Sequence, residues 1–255
     1  MAMLEWCMRL HTVIRADLSF AGVAALILLP ASCIAAEQNV YISPIGDIDS
    51  DIRCKPNPQQ NSATQAREEP ACLEQFKDVV TRKGDNLTFK LENGKTTVIK
   101  SNTKACRQIP IGPCIVYELV GYMAVSGQFV LREEYYESVF VRLVSRRTGV
   151  VTKLEGYPRL SPNGKRFVAV ASSDAWKIDN PISIFSATDP PRLEWRFPQP
   201  KEYEEYSFDG WDGEDRIKLH TITKPLIDTD VRRTTQGWVL RRPNGQLSSG
   251  TAAPP

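Results

Sequence analysis

The chain has 255 residues, with 32 Lys+Arg set against 30 Asp+Glu and only two histidines. A formal net charge of +2 gives no electrostatic reason to expect nucleic acid or an anionic membrane surface as a partner. The scarcity of histidine leaves carboxylates as the main material for acid–base chemistry.

The first 36 residues differ in kind from the rest. Arg9 and Arg15 precede an apolar run from Leu18 to Leu29, Pro30 breaks it, and the small residues Ala31, Ser32, Ala35 and Ala36 follow. That order is the order of a cleavable secretory signal. Twelve helical residues cover about 18 Å, too little for a ~30 Å hydrocarbon core, so no transmembrane span is expected. Cleavage after Ala36 would release a soluble exported chain beginning at Glu37. Cys33 offers the alternative of a lipid anchor on its thiol, although Pro30 stands where lipoprotein signals carry a branched apolar residue. Removing residues 1–36 takes two basic and two acidic residues, so the charge of the 219 that remain is unchanged.

Residues 37–70 hold Pro44, Pro56 and Pro58 followed by a polar run, and read as an extended arm ordered mainly by a crosslink at Cys54. Four cysteines remain after export. Cys106 and Cys114 enclose a loop with Pro110, Gly112 and Pro113, which can bring its ends together; Cys54 and Cys72 are then partners by elimination. No paired Cys-x-x-Cys arrangement suggests zinc.

A β domain is expected over 71–245. It opens with a helix over 71–83, where Leu73, Phe76, Val79 and Val80 share one face and Gly84 supplies the stop. Beyond Gly84 the period changes to two. Strands are expected at Leu87–Leu91, Thr96–Lys100, Ile115–Val125, Val139–Ser145, Phe167–Ala171, Ile182–Phe185, Leu193–Phe197, Ile217–Ile222 and Gly237–Arg241. Turn formers such as Asn93-Gly94, Thr148-Gly149, Asn163-Gly164 and Asp212-Gly213 separate them. The fold class is therefore mainly β, an antiparallel meander with one short N-terminal helix. Residues 246–255 are small and polar and read as a disordered tail.

Polar turns leading into strands recur at Glu92, Ser126, Ser161 and Trp211, spaced 34, 35 and 50 residues apart. The phrase Pro158-Arg159-Leu160-Ser161-Pro162-Asn163-Gly164-Lys165-Arg166-Phe167, preceded by Leu143 to Gly149, resembles the strand–turn–strand repeat of TolB-like and WD40-like β-propellers. The resemblance covers about Gly121 to Leu240. It implies a small or partial propeller-like arrangement and a binding or scaffolding role, with no functional residue carried over.

Candidate sites are few. His220 is the one histidine beyond the signal and lies in the polar register of its strand, where a surface role is the ordinary reading. Serine chemistry would have to use it, and no G-x-S-x-G elbow is present. Ser101 to Lys104 matches S-x-x-K without its companion motifs. Asp47, Asp49 and Asp51 open like a calcium loop, but Ile52 and Pro58 occupy its turn-glycine and bidentate-acid positions. Asp209, Asp212, Glu214 and Asp215 cluster at a turn without a ligand order. Tyr203 and Tyr206, beside Glu202, Glu204 and Glu205, are candidate ligand-stacking residues, whereas Phe208 and Trp211 read as core. No catalytic residue, metal site or cofactor is assigned. The expected function is a non-enzymatic exported or periplasmic module that binds a protein or cell-wall component. The alternative is a secreted hydrolase using loop carboxylates.

Overall fold

Among the described residues, seventeen short antiparallel strands arranged in four sheets dominate the computed structural model. It describes residues 48–55, 69–108, 113–135, 138–171, 178–200, 204–221 and 227–252. The expected signal at 1–36, with Cys33, lies outside the described residues, as does Tyr203.

The first sheet is β1 (Val80–Lys83), β2 (Asn86–Lys90) and β3 (Thr96–Lys100). The second is the meander β4 (Val116–Met123), β5 (Gln128–Glu134), β6 (Val139–Ser145) and β7 (Val151–Leu154). The third holds β8 (Pro158–Leu160), β9 (Arg166–Val170), β10 (Ile182–Ser186) and β11 (Arg192–Phe197). The fourth runs β12 (Tyr206–Trp211), β13 (Arg216–Thr221), β14 (Ile227–Thr234), β15 (Gly237–Arg241) and β16 (Leu247–Ser249). None of the four closes on itself as a barrel.

Three apolar clusters join the sheets in chain order. Leu87 and Phe89 of the first sheet meet Leu119, Phe129, Leu131 and Val144 of the second. The opposite face of the second sheet, through Val130, Val141 and Leu143, packs on Phe167, Ala169 and Phe185 of the third. Val168, Ile184 and Trp195 on the third sheet's other face then meet Ile217, Leu219, Val231 and Leu240 of the fourth. The two inner sheets thus bury both faces, and their strands read as continuous apolar runs, Phe129-Val130-Leu131 and Phe167-Val168-Ala169-Val170. The outer two alternate: Leu87 and Phe89 are buried while Thr88 and Lys90 face out, and Ile217 and Leu219 are buried while Lys218 and His220 face out.

The N-terminal part departs from the expected arrangement. The helix, α1, spans only Glu69–Gln75, and Val80–Lys83 pair as a strand with Phe89 to Asn86. The helical spacing misled because the inward position after Val80 is Arg82, a charge that hides the two-residue period. Its guanidinium is satisfied by Glu69 and by the Tyr117 carbonyl. Gly84 lies in the β1–β2 hairpin and does not stop a helix. In the arm, residues 52–54 lie along the edge of β4. The Ile52 carbonyl accepts from Tyr122 N (2.8 Å), Cys54 N donates to the Val120 carbonyl (3.3 Å), and Ile48 and Ile52 enter the core. Cys54 is bonded to Cys72 in α1, and Cys106 to Cys114.

The expected disordered tail is also corrected. Leu247–Ser249 pair with β15, and β17 (Thr251–Ala252) pairs with β11. Between them Gly250 passes so close that a Cβ would stand 2.2 Å from the Arg196 carbonyl oxygen. Backbone ladders need no apolar side chains, so composition alone concealed these strands.

The 161–166 turn is longer than a two-residue hairpin. Gly164 N donates to the Ser161 carbonyl and Ser161 N to that of Arg166, with Gly164 left-handed at φ 67°. The turn is thus closed by a glycine in the left-handed region. A Cβ there would also meet Val125 Cγ1 at 3.2 Å. Gly164→Val should therefore destabilise the fold by roughly 1–3 kcal/mol. Phe167→Ala, which empties a fully buried site stacked on Phe185 at 5.1 Å, should cost about 3–5 kcal/mol. Chemical denaturation measures both, and a Phe167→Ala midpoint equal to the parent's would contradict this packing.

Candidate functional site

The polar face of the fourth sheet carries a cleft of about 460 Å³. Its floor is set by strand register. Lys218 on β13 stands opposite Asp230 on β14, which stands opposite Arg241 on β15. One row away Arg216 pairs with Arg232, and on the other side His220 pairs with Asp228. Inward-facing Ile217, Leu219, Val231 and Leu240 fix the sheet on its core, and the alternation turns the charged set outward.

Asp230 is the centre of this arrangement and is only 5% exposed. Arg232 Nε donates to Oδ1 at 2.7 Å, while Arg241 Nη2 and Arg216 Nη2 donate to Oδ2 at 2.8 and 3.1 Å. Burial alone would push the carboxyl's pKa up, but the hydrogen bonds and charges of Arg232 and Arg241 outweigh it and hold the group below its ordinary range. Arg216 also reaches Asp212 Oδ2 at 2.9 Å, with Lys218 Nζ 3.8 Å from the same oxygen. Three guanidinium groups are thereby held in a fan by one buried anion.

At the other end of the cleft stands His220. Its Nδ1 is 2.9 Å from Asp228 Oδ1 and its Nε2 is 3.6 Å from Asp209 Oδ1. Ser207 is its cross-strand neighbour, so Ser207, His220 and Asp228 form a row of the residue types of a hydrolytic triad. Nε2 faces Asp209, however, and no hydrogen bond joins the Ser207 hydroxyl to the ring. A general base needs its free nitrogen against the nucleophile.

The other residues singled out in the sequence fall elsewhere. Tyr206 is corrected: it is 1% exposed, inside the core between the third and fourth sheets, edge-on to Phe197 at 6.1 Å. Its hydroxyl donates to Glu204, and burial with that bond pushes the phenol's pKa up. No ring face is left for a ligand. Phe208 and Trp211 pack against the same core, and Trp211 Nε1 donates to the Arg159 carbonyl at 3.1 Å. Glu214 accepts from Asn163 N at 2.8 Å, and Asp215 lies 3.6 Å from Arg233, so the acids of that turn disperse to separate partners. Among the described residues no group of His, Cys, Asp and Glu is arranged to hold a metal ion. The Ser101 hydroxyl accepts from Tyr117 N at 3.0 Å, a structural bond.

Sequence reasoning passed over Asp230 and its arginines. The signal was available in the polar register of Ile227–Thr234, where Asp228, Asp230 and Arg232 alternate with buried Thr229 and Val231. Comparison with known proteins finds no family model, no curated protein and no solved structure that matches the chain.

Because Asp230 binds its proton more weakly in the fold than in the unfolded chain, its stabilisation is full above the ordinary carboxylate pKa near 4. It is lost as the pH falls through the lowered folded value. Asp230→Asn should cost roughly 1–3 kcal/mol near neutrality, toward the low end because the guanidinium groups are partly in water. The variant should also lose less stability than the parent on acidification. Parallel stability profiles between about pH 2 and 6 would contradict this role.

Proposed function

We propose that the chain is an exported, non-enzymatic binding module of propeller-like β-meanders, with its ligand seat in the cleft of the fourth sheet. The single observation that carries the reading is the guanidinium fan of Arg216, Arg232 and Arg241 fixed on buried Asp230. Cations locked by a buried carboxylate are pre-organised, so a ligand carboxylate would bind without the cost of ordering free arginine side chains. Asp209 and Asp228 supply negative charge at the other end. A ligand that suits both ends carries an anionic and a cationic group, as a protein segment or a cell-wall peptide does.

Export is supported by the order of the N-terminal 36 residues and by two disulfides, which persist in oxidising compartments. No helix among the described residues is long and apolar enough to cross a membrane. The succession of meandering sheets supports the propeller-like reading. Soluble release is the reading preferred over a lipid on Cys33.

The second reading, a secreted hydrolase, rests on Asp209 and Asp228 sharing the cleft with His220. Calorimetric titration with a cell-wall peptide bearing a free amine and a free carboxylate separates the two. Lys218→Glu with Arg241→Glu should weaken binding by about tenfold or more, equivalent to at least ~1.4 kcal/mol, without product formation. Turnover that disappears in His220→Gln would overturn the binding reading in favour of hydrolysis.

A further inference from the structure

The outer face of the first sheet is unlike that of the fourth. Register places Lys83, Asn86 and Lys100 in one row across the three strands. The next row is Thr81, Thr88 and Val98, and Lys90 stands opposite Thr96 beyond it. All except half-buried Thr88 are exposed. Among the described residues no carboxylate stands on this face, and none of its three lysines makes an ion pair.

The surrounding segment amplifies the asymmetry. From Val79 to Gln108 the sequence has seven basic residues and two acidic ones; with Arg82 paired inward to Glu69, six basic residues against two leave a local charge of +4 in a chain whose total is +2. The two acids are already engaged: Asp85 accepts from Thr103 at 2.7 Å and Glu92 faces Arg146 at 3.8 Å. On the fourth sheet Arg216, Lys218, Arg232 and Arg241 share the carboxylates of Asp212 and Asp230, so part of their field is cancelled at short range. On the first sheet it is not cancelled. The near-zero total charge conceals a basic end.

We infer that this face is a docking surface for an extended acidic polysaccharide. The chemistry selects that class over other polyanions. Strands lie ~4.8 Å apart, so Lys83 and Lys100, two strands apart, are separated by ~10 Å. Lys90 lies four residues from Asn86, ~13 Å along the strand. The ammonium groups therefore bracket a flat patch of threonine hydroxyls and one amide, which can exchange hydrogen bonds with sugar hydroxyls while the lysines meet the carboxylates. A bilayer-binding face would carry bulky apolar or aromatic side chains to enter the interface, and here the one large apolar residue is Val98. Single-stranded nucleic acid would require aromatic platforms for its bases, and the face has no aromatic residue.

The test uses the full chain and immobilised polygalacturonate, with neutral dextran as the reference matrix. Retention should occur on the acidic polymer alone and be lost at about 1 M salt, where the Debye length is about 3 Å. Lys83→Glu, Lys90→Glu and Lys100→Glu combined should weaken binding by about tenfold or more, and the corresponding triple arginine variant should retain it. The cleft variant Lys218→Glu/Arg241→Glu should bind the polymer like the parent, which separates this surface from the proposed ligand seat. Equal melting temperatures for parent and triple variant show that the fold is intact. The inference is overturned if the triple glutamate variant binds like the parent. It is overturned equally if the parent binds anionic vesicles or duplex DNA as tightly as polygalacturonate, or if it ignores the polymer.

Discussion

Phe129, Leu131 and Val144 on one side of the second sheet, and Val130, Val141 and Leu143 on the other, leave its central strands no face for water. The third sheet is in the same position, with Phe167 and Ala169 opposed by Val168 and Ile184. A sheet of this kind is stable only when both faces are covered, because each exposed Leu, Ile or Phe would forgo about 1.5–3 kcal/mol of burial. The first and fourth sheets are therefore required as covers, and each needs only one apolar face. Much else in the fold serves to keep these layers in register, including the Ile52 strap on β4, the Cys54–Cys72 tie to α1 and the return of Thr251–Ala252 onto β11.

That constraint also decides where recognition can occur. Inner faces are committed to packing, so polar chemistry is confined to sheet ends and to the outward faces of the covers. A charged network does sit at one sheet end: Glu133, its side chain fully buried, accepts from Tyr117 and Tyr135 hydroxyls and from Arg142 through two nitrogens. Every donor there is turned inward on one carboxylate, so the network stabilises the second sheet and offers nothing to a ligand. The covers differ from it and from each other. The fourth sheet presents paired, pre-organised charges around Asp230, suited to a ligand of mixed charge. The first presents lysines without partners, suited to a polyanion.

The sequence disclosed the strand character of most of the chain, because period-two patterns and glycine turns are local signals. Phe167–Ala171 and Ile217–Ile222 are both legible as strands from such signals. What stayed hidden had physical causes. Arg82 occupies an inward position that Glu69 satisfies, so β1 passed for the end of a helix. Leu247–Ser249 and Thr251–Ala252 are held by backbone pairing, which composition does not report. Tyr206 beside acidic residues looked like a ligand platform, yet its ring faces Phe197 and its hydroxyl finds Glu204. The Asp230 fan was legible only in part: the alternation of Asp228, Asp230 and Arg232 is visible along one strand. Its meeting with Arg216 and Arg241 depends on the register of three strands.

Native-state hydrogen exchange tests the layered account most directly. Amides of β5, β6, β9 and β10, in the sheets buried on both faces, should exchange only through global unfolding. Those of β3 and β16, at the edges of the covering sheets, should exchange through smaller local openings. Protection as strong in β3 and β16 as in β5 and β9, or rapid exchange in the two inner sheets, would contradict a fold organised around two doubly buried layers.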